Sequence, residues 1–436
     1  MTTPTRSVVL VTASEPEPRT FGKQVVLGGL LDHLVARLGA ENVHVLLVGD
    51  PDADRPPVPY DLRVLRRPGP REQLRSLATR VLGPARSALQ EAALWSPRLL
   101  REIGTLVDEI DADLQVWDTI RMAQYARALP RRRRVLYADD LFSLRYRSIL
   151  AHAREQQQPS DPLGDFGKML PGPVRRLAGR PAVYRPLLQL EQRLAARSED
   201  RAPADFDATA LVNPDETAML AQRSGSDSVV TLLPLLGTGS DRPRAFAGEP
   251  AYVFLGSLEF QPNRDALRWF LGTCREAVLA AVPDFRLALV GRGSVDALPE
   301  AAAWGDQVRP LGWVPDLDDV LLSAAGLLSP LQTGSGIKIK VLESLSRGLP
   351  VVATSFGVLG LDVDESAGCL VADDPAGLAA ALARAAHPEV NAALSAGARR
   401  RWDERYSPVV ARQAYDEVLG LEAPAAEDAP MTGRTA

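Results

Sequence analysis

The chain has 436 residues, 46% of them hydrophobic, and a formal net charge of -5. That length suits two domains better than one, and the acidic balance argues against a nucleic-acid binder. The two cysteines, Cys274 and Cys369, lack a metal-ligand spacing, so a reduced, cytoplasmic protein with no metal site is expected.

Ser7–Val11 is apolar and rich in valine, as a buried parallel strand should be, and too short for a signal core or a membrane span. A loop with two prolines follows, and Phe21-Gly22-Lys23 opens a helical pattern running to about Leu38. Val43–Val48 is the next strand. Residues 51–70 read as loop and edge, and Arg71–Ile110 as one long amphipathic stretch. Leu114–Trp117, Arg134–Tyr137 and Ala208–Val212 are short strands. Residues 151–203 carry prolines, arginines and scattered large apolar residues, and resemble an insertion, with a helix over Leu187–Arg197. A second α/β unit starts near Tyr252, with elements at Tyr252–Leu255, Asp265–Ala280, Arg286–Val290, Leu317–Ser323, Gly326–Ser329, Gly336–Arg347 and Val351–Thr354. Strands alternating with helices predict parallel α/β sheets. Helices near 375–386, 389–404 and 407–421 close the chain, and the small, polar tail 422–436 is expected to be disordered.

The segment LSPLQTGSGIKIKVLESLSRGLPVVAT, Leu328–Thr354, carries the most chemistry. A buried strand runs into a loop with Gly334 and Gly336, and a helix is predicted from about Gly336 or Ile337. Ile337, Val341 and Leu345 recur at four-residue spacing and form its core face. Gly348 and Pro350 stop it. The glycines let backbone N–H groups approach a ligand, and a helix N-terminus carries roughly +0.5 charge, which makes an anion site. Lysines in a first turn oppose that dipole, so Lys338 and Lys340 suit a bound diphosphate better than they suit the helix. The alternative is a solvated pair, with Lys340 bonded to Glu343. The sequence holds only four lysines, and Lys23, Lys338 and Lys340 all lie in glycine-containing loops.

This segment resembles the donor-binding motif of glycosyltransferase family 4 and its relatives: a proline, a glycine-rich loop, a helix, then Gly-x-Pro-Val-Val-Ala-Thr. Glu343 matches the second glutamate of the family's paired-glutamate motif, which binds the ribose hydroxyls of the nucleotide; a carboxylate can accept both. The first glutamate would stand eight residues earlier, where this chain has Ser335. The usual upstream Arg and Lys are also missing. Their place is taken by GSLEFQPNRDALRWF, Gly256–Phe270, which resembles the Gly-x-Met-x-Trp-x-Pro-Asn-x-Asp-Ala form of one subgroup. Lys338 and Lys340 stand in for the absent basic pair. LALVGRGS, Leu287–Ser294, resembles the family's strand ending in Val-Gly-x-Gly. LGWVPDLDDVLLSA, Leu311–Ala324, resembles its Gly-x-Val-x-Asp stretch, where the backbone at Trp313 and Val314 meets the nucleobase; the alternative for Trp313 is a core residue. In GVLGL, Gly357–Leu361, Leu359 replaces a customary acid. Relatives set a glycine loop such as Gly22 against the donor diphosphate, with Lys23 adding charge. Asp139 and Asp140, in YADDLFSLRY, fall where the family often has a polar residue beside the reacting sugar, and Asp118 has a weaker case of the same kind; a helix cap is the alternative.

The resemblance implies an α/β protein of the GT-B fold, with two Rossmann-like domains facing across a cleft and a C-terminal helix returning to the first domain. The boundaries expected are an acceptor-side domain over 1–240, a nucleotide-sugar domain over 245–405 and a crossover helix over 406–421. It implies a retaining glycosyltransferase in glycan, cell-surface or specialised-metabolite synthesis. The donor is a nucleotide-diphosphate sugar, no metal is required and the acceptor is unknown. Catalysis is assigned to Asp139, Asp140, Lys338 and Lys340. Donor binding is assigned to Gly22, Lys23, Gly256, Trp313, Val314, Gly334, Ser335, Gly336, Ile337 and Glu343. Phe166, Met169, Leu170, Arg175, Arg176 and Arg180 form either a solvated arginine face or a peripheral membrane contact on the cytoplasmic side. The rival readings are a GT-B sugar-nucleotide epimerase and a non-catalytic glycosyltransferase-like partner.

Overall fold

The computed structural model describes residues 4–19, 22–81, 83, 86–155, 181–237 and 239–421. The expected disordered tail at 422–436 and the six residues of the apolar and basic patch lie outside them.

Two parallel sheets organise the chain. The first contains β1 (Val8–Thr12), β2 (Val43–Gly49), β3 (Asp61–Arg66), β4 (Leu114–Asp118), β5 (Arg134–Asp139), β6 (Ala208–Leu211) and β7 (Val229–Thr231), in the order β3-β2-β1-β4-β5-β6-β7. The second contains β8 (Ala251–Leu255), β9 (Arg286–Val290), β10 (Val308–Gly312), β11 (Gly326–Ser329), β12 (Val351–Ala353) and β13 (Cys369–Val371), in the order β10-β9-β8-β11-β12-β13. Strand order reverses between β1 and β4 in one sheet and between β8 and β11 in the other. Crevices for ligands form beyond the carboxyl ends of strands at such points. Val8–Val11 and β4 are buried on both faces because helices cover them, which is why they read as unbroken apolar runs.

The predicted Arg71–Ile110 stretch is not one element. It divides into Pro70–Ser76, a short π turn at Leu77–Val81, Leu89–Leu94 and Pro97–Ile110. Ser96 starts the last of these by accepting the Arg98 N–H at 3.2 Å, with Pro97 at the first helical position. In the 151–203 region, the helix Pro181–Arg201 exceeds the predicted Leu187–Arg197 and packs on Phe142–Glu155. Tyr146, Leu150, Tyr184, Leu188 and Leu194 share a core there with Ala88 and Ile120. Edge strands β7, β10 and β13 have no counterpart in the sequence reading: β7 and β13 span three residues each, and β10 contains Pro310, which suits an edge strand.

The last helix, Pro408–Leu419, crosses back to the first sheet. Tyr415 and Leu419 join the core of Val8, Leu10 and Tyr137, and the Tyr137 and Tyr415 hydroxyls lie 3.2 Å apart. Thr5 Oγ1 donates to the Leu419 carbonyl at 2.7 Å. The two domains also meet directly, since Ile337 and Ile339 pack against apolar clusters of both.

Candidate active site

The first sheet contributes a chain of charges at its carboxyl edge. Lys23, in the first turn of Gly22–Leu38, places Nζ 2.6 Å from Asp118 Oδ1 and 3.2 Å from Asp139 Oδ2. Thr12, the last residue of β1, donates its hydroxyl to Asp118 Oδ2 at 2.8 Å. Asp118 is fully buried, and these partners satisfy both its oxygens. Burial alone would lower the Lys23 pKa, but Asp118 and Asp139 outweigh it and raise it. Asp139 shifts upward, because burial and the charges of Asp140 and Asp118 exceed the help from Lys23. The backbone here is strained: Thr119 has φ 64° and Asp139 φ 71°, in the left-handed region that only glycine adopts freely.

Asp140 turns the other way, toward the second domain. Arg145 grips it with Nη2 at 2.7 Å from both carboxylate oxygens, and the Ser335 hydroxyl donates to Oδ2. Burial would raise its pKa, but Arg145 and Ser335 hold it below the usual range. Neither aspartate caps a helix with its side chain.

In the second domain the helix begins at Ile339, not at Gly336 or Ile337, and runs only to Leu345. Lys338 is its N-cap, in an extended conformation (φ -95°, ψ 93°), because the left-handed Gly336 (φ 64°) delays helical geometry. The loop Gly334–Gly336 is therefore stitched to the first domain rather than folded onto the helix. Gly334 N donates to Ser148 Oγ at 3.1 Å, Gly336 N donates to Glu216 Oε1 at 2.7 Å, and Asn213 Nδ2 donates to the Gly336 carbonyl at 3.3 Å. Glu216 also accepts the Leu141 N–H at 2.6 Å. Its carboxyl is pushed up to about 7, by burial first and then by Asp140.

Lys338 is buried, with Nζ 3.0 Å from the Ser335 carbonyl and 3.4 Å from that of Gly336, and burial pulls its pKa down to about 8. Lys340 projects toward β8, where Nζ lies 2.9 Å from Asn263 Oδ1 and 4.1 Å from the centre of the Phe254 ring. Burial, then Lys338, lowers it to about 7. Lys340 is not bonded to Glu343. Glu343 pairs with Arg347 at 2.5 Å, and Arg347 also pairs with Asp318 at 2.7 Å. Gly256 must be glycine: a Cβ there would stand 2.6 Å from Asn263 Nδ2 and 3.2 Å from Lys340 Nζ.

The predicted residues thus form mainly one interdomain group with an adjoining pair, and Trp313, Val314 and Glu343 lie apart. Asp139, Asp140, Lys23, Ser335, Gly336 and Lys338 converge, with Gly22 facing Ile339 at 3.7 Å from an added Cβ. Gly256 and Lys340 line the adjoining crevice. Trp313 is 65% exposed, which rules out the core alternative, while Val314 packs against the second domain's apolar cluster. Glu343 lies one helical turn further along. Sequence reasoning missed Arg145, Ser148, Asn213, Glu216 and Asn263 as site residues. Asn213 and Glu216 look like an ordinary helix start, because Asn213 Oδ1 does accept the Asp215 N–H at 2.9 Å. Asn263 stands in the quoted Pro-Asn motif. Among the described residues, no group of three or more His, Cys, Asp or Glu is placed to hold a metal ion, and no helix is long and apolar enough to cross a membrane.

Residues 249–387 match the family model of Glycosyl transferases group 1. An uncharacterized 44.6 kDa protein in the cps region of Klebsiella pneumoniae is 25% identical over 130 residues, 28% of this chain and 33% of that protein, so only a third of that relative is spanned. Three solved structures share the whole architecture. Sucrose-phosphate synthase from Thermosynechococcus elongatus matches with a TM-score of 0.64 at 16% identity, covering 95% of this chain and 98% of that one. Anabaena HepE in complex with UDP gives 0.59 at 13%, covering 95% and 99%. WaaG, a glycosyltransferase involved in lipopolysaccharide biosynthesis, gives 0.56 at 15%, covering 94% and 99%.

Proposed function

We propose that this chain, whose second domain belongs to the group 1 glycosyltransferases and whose fold is GT-B, moves a sugar from a nucleotide-diphosphate donor to an acceptor hydroxyl with retention of configuration. The observation that carries this is the meeting of the Gly334–Lys340 segment with the Asp139–Asp140 pair across the interdomain cleft. The donor lies against the second domain, and the acceptor against the first. HepE has been solved with UDP and with UDP-glucose, which makes a UDP-sugar the first donor to test.

Transfer requires stabilising the negative charge that develops on the leaving diphosphate. Positive groups held in a site of low dielectric do this at no cost of reorganisation during the reaction. Lys338 and Lys340 are such groups. Asp139, kept near Lys23, orients the acceptor hydroxyl. Ser335, which occupies the position of the absent glutamate, reports closure through Asp140 instead of binding sugar through a carboxylate. Closure would exclude water and limit donor hydrolysis.

The test is thermal shift with UDP-, GDP-, TDP- and ADP-sugars, with slow donor hydrolysis followed in the same samples. Stabilisation and hydrolysis by one donor support the transferase and name its nucleotide. A folded sample that answers to none would favour the non-catalytic partner.

A further inference from the structure

Two arginines at the carboxyl edge of the first sheet have no task in the donor chemistry. Arg121 follows β4 and Arg67 follows β3. Among the described residues neither makes an ion pair, unlike Arg145, which is bidentate on Asp140. Arg121 donates Nε to the Thr119 hydroxyl at 3.2 Å, and its guanidinium lies 5.5 Å from the centre of the Phe142 ring. Arg145 sits over the same ring at 4.9 Å. Arg67 reaches the same edge from β3, donating to the carbonyls of Val48 at 3.1 Å and Ala13 at 2.9 Å. Arg121 and Arg145 thus share one ring, Arg67 lies near enough to repel Arg121, and of the three only Arg145 has a carboxylate.

Arg121 is also held at a cost. It is half-buried, and burial weakens its hold on a proton, with Asp118 opposing and Arg145 and Arg67 adding repulsion. The residue that anchors it, Thr119, is β-branched yet sits at φ 64°, a left-handed conformation that strains such a side chain. A strained anchor and an unpaired, half-buried guanidinium are explained together by an anion that arrives with a ligand. The guanidinium fork matches the oxygens of a phosphate or carboxylate in two parallel hydrogen bonds. The donor's own phosphates belong with Lys338 and Lys340 across the cleft.

We propose that Arg121, flanked by Arg67 and Arg145, forms an anion-binding subsite on the first domain, so that the acceptor carries a phosphate or carboxylate group. The word acceptor rests on the transferase reading; the subsite itself binds an oxyanion whether or not transfer occurs.

The experiment is calorimetric titration of the full chain with glucose 6-phosphate, glucuronate and glucose, each with and without saturating UDP. A parallel arm measures sedimentation with vesicles of phosphatidate against phosphatidylcholine, which separates a lipid headgroup from a soluble ester. Arg121→Gln and the more exposed Arg67→Gln are compared, with thermal melting confirming that each folds. A charged probe or the phosphatidate vesicle should bind where glucose or phosphatidylcholine does not, and Arg121→Gln should weaken it by about tenfold or more, the loss of one charge-assisted pair. UDP affinity should stay unchanged in Arg121→Gln. Equal binding of glucose, unchanged anion binding in both variants, or a loss confined to UDP overturns the subsite. If UDP binds no form of the protein, the transferase reading fails, and the titrations without UDP still decide the subsite.

Discussion

At the carboxyl edge of the first sheet, Lys23 lies between two buried carboxylates, Asp118 and Asp139. At the corresponding edge of the second sheet, Lys338 and Lys340 face backbone carbonyls, an amide oxygen and an aromatic ring, with no ion pair among the described residues. The consequence appears in their protons. Lys23 is raised by its partners, whereas Lys338 and Lys340 are lowered to about 8 and about 7 by burial. A lysine already neutralised holds structure together. A buried lysine that makes no ion pair gains most when a ligand brings negative charge.

That contrast can be broken at either edge. Lys23→Met should have the largest effect on stability, because it leaves Asp118 and Asp139 buried without their cation. Removing one partner of such a pair costs about 3 kcal/mol, and urea denaturation would detect it; a loss under about 1 kcal/mol would mean that Thr12 suffices. Lys340→Ala should leave the melting temperature intact and lower donor turnover about a hundredfold. An undiminished rate would remove Lys340 from the site.

Glu216→Gln sharpens the comparison at the seam. Leu141 N and Gly336 N bond different oxygens of Glu216, so a glutamine sets its NH2 against one of them. A loss of about 1–2 kcal/mol in thermal or chemical unfolding is expected, together with weaker donor binding. Unchanged melting and binding would show that the two domains close without this carboxylate.

The pH dependence follows from the lowered lysines. A diphosphate beside Lys340 favours the ammonium form, so binding takes up protons once pH exceeds about 7. Donor affinity should therefore fall as pH rises from about 7 through about 8, where Lys338 also titrates. For stability the sign is opposite: each lysine's folded pKa lies below its unfolded value, so the penalty of burying each ammonium is relieved, and stability rises, as pH climbs from the folded pKa toward 10.5. Calorimetry in buffers of different ionisation enthalpy checks the first point; no proton uptake at pH 7.5 contradicts it. Trp313→Ala should have the smallest effect on stability, within about 0.5 kcal/mol, because the ring is exposed. A several-fold loss of nucleotide affinity without unfolding would assign the ring to the nucleobase, and unchanged affinity would sever that assignment.

The glycine loop shows how far sequence could be read. Gly334, Gly336, Lys338 and Lys340 were legible because glycine spacing, a scarcity of lysines and a following strand coincide within a few residues. The start of the helix was misplaced, since Ile337 fits the four-residue periodicity while standing in the loop, where it packs against both domains. The partners of that loop were illegible. Glu216 lies 120 positions from Gly336 and Asp140 lies 195 from Ser335, and neither distance leaves a local pattern.

The alternating apolar strands and amphipathic helices by themselves determined two parallel α/β units, because burial on both faces leaves a periodic signature within each short segment. The sequence also marked Gly334–Gly336 as a loop, because left-handed backbone freedom is a local property of those glycines. Only the tertiary structure decided which charges are neutralised and which are held open. That choice depends on which strand ends face one another across the cleft, and electrostatic partnership falls off over a few ångströms of space, whatever the separation along the chain.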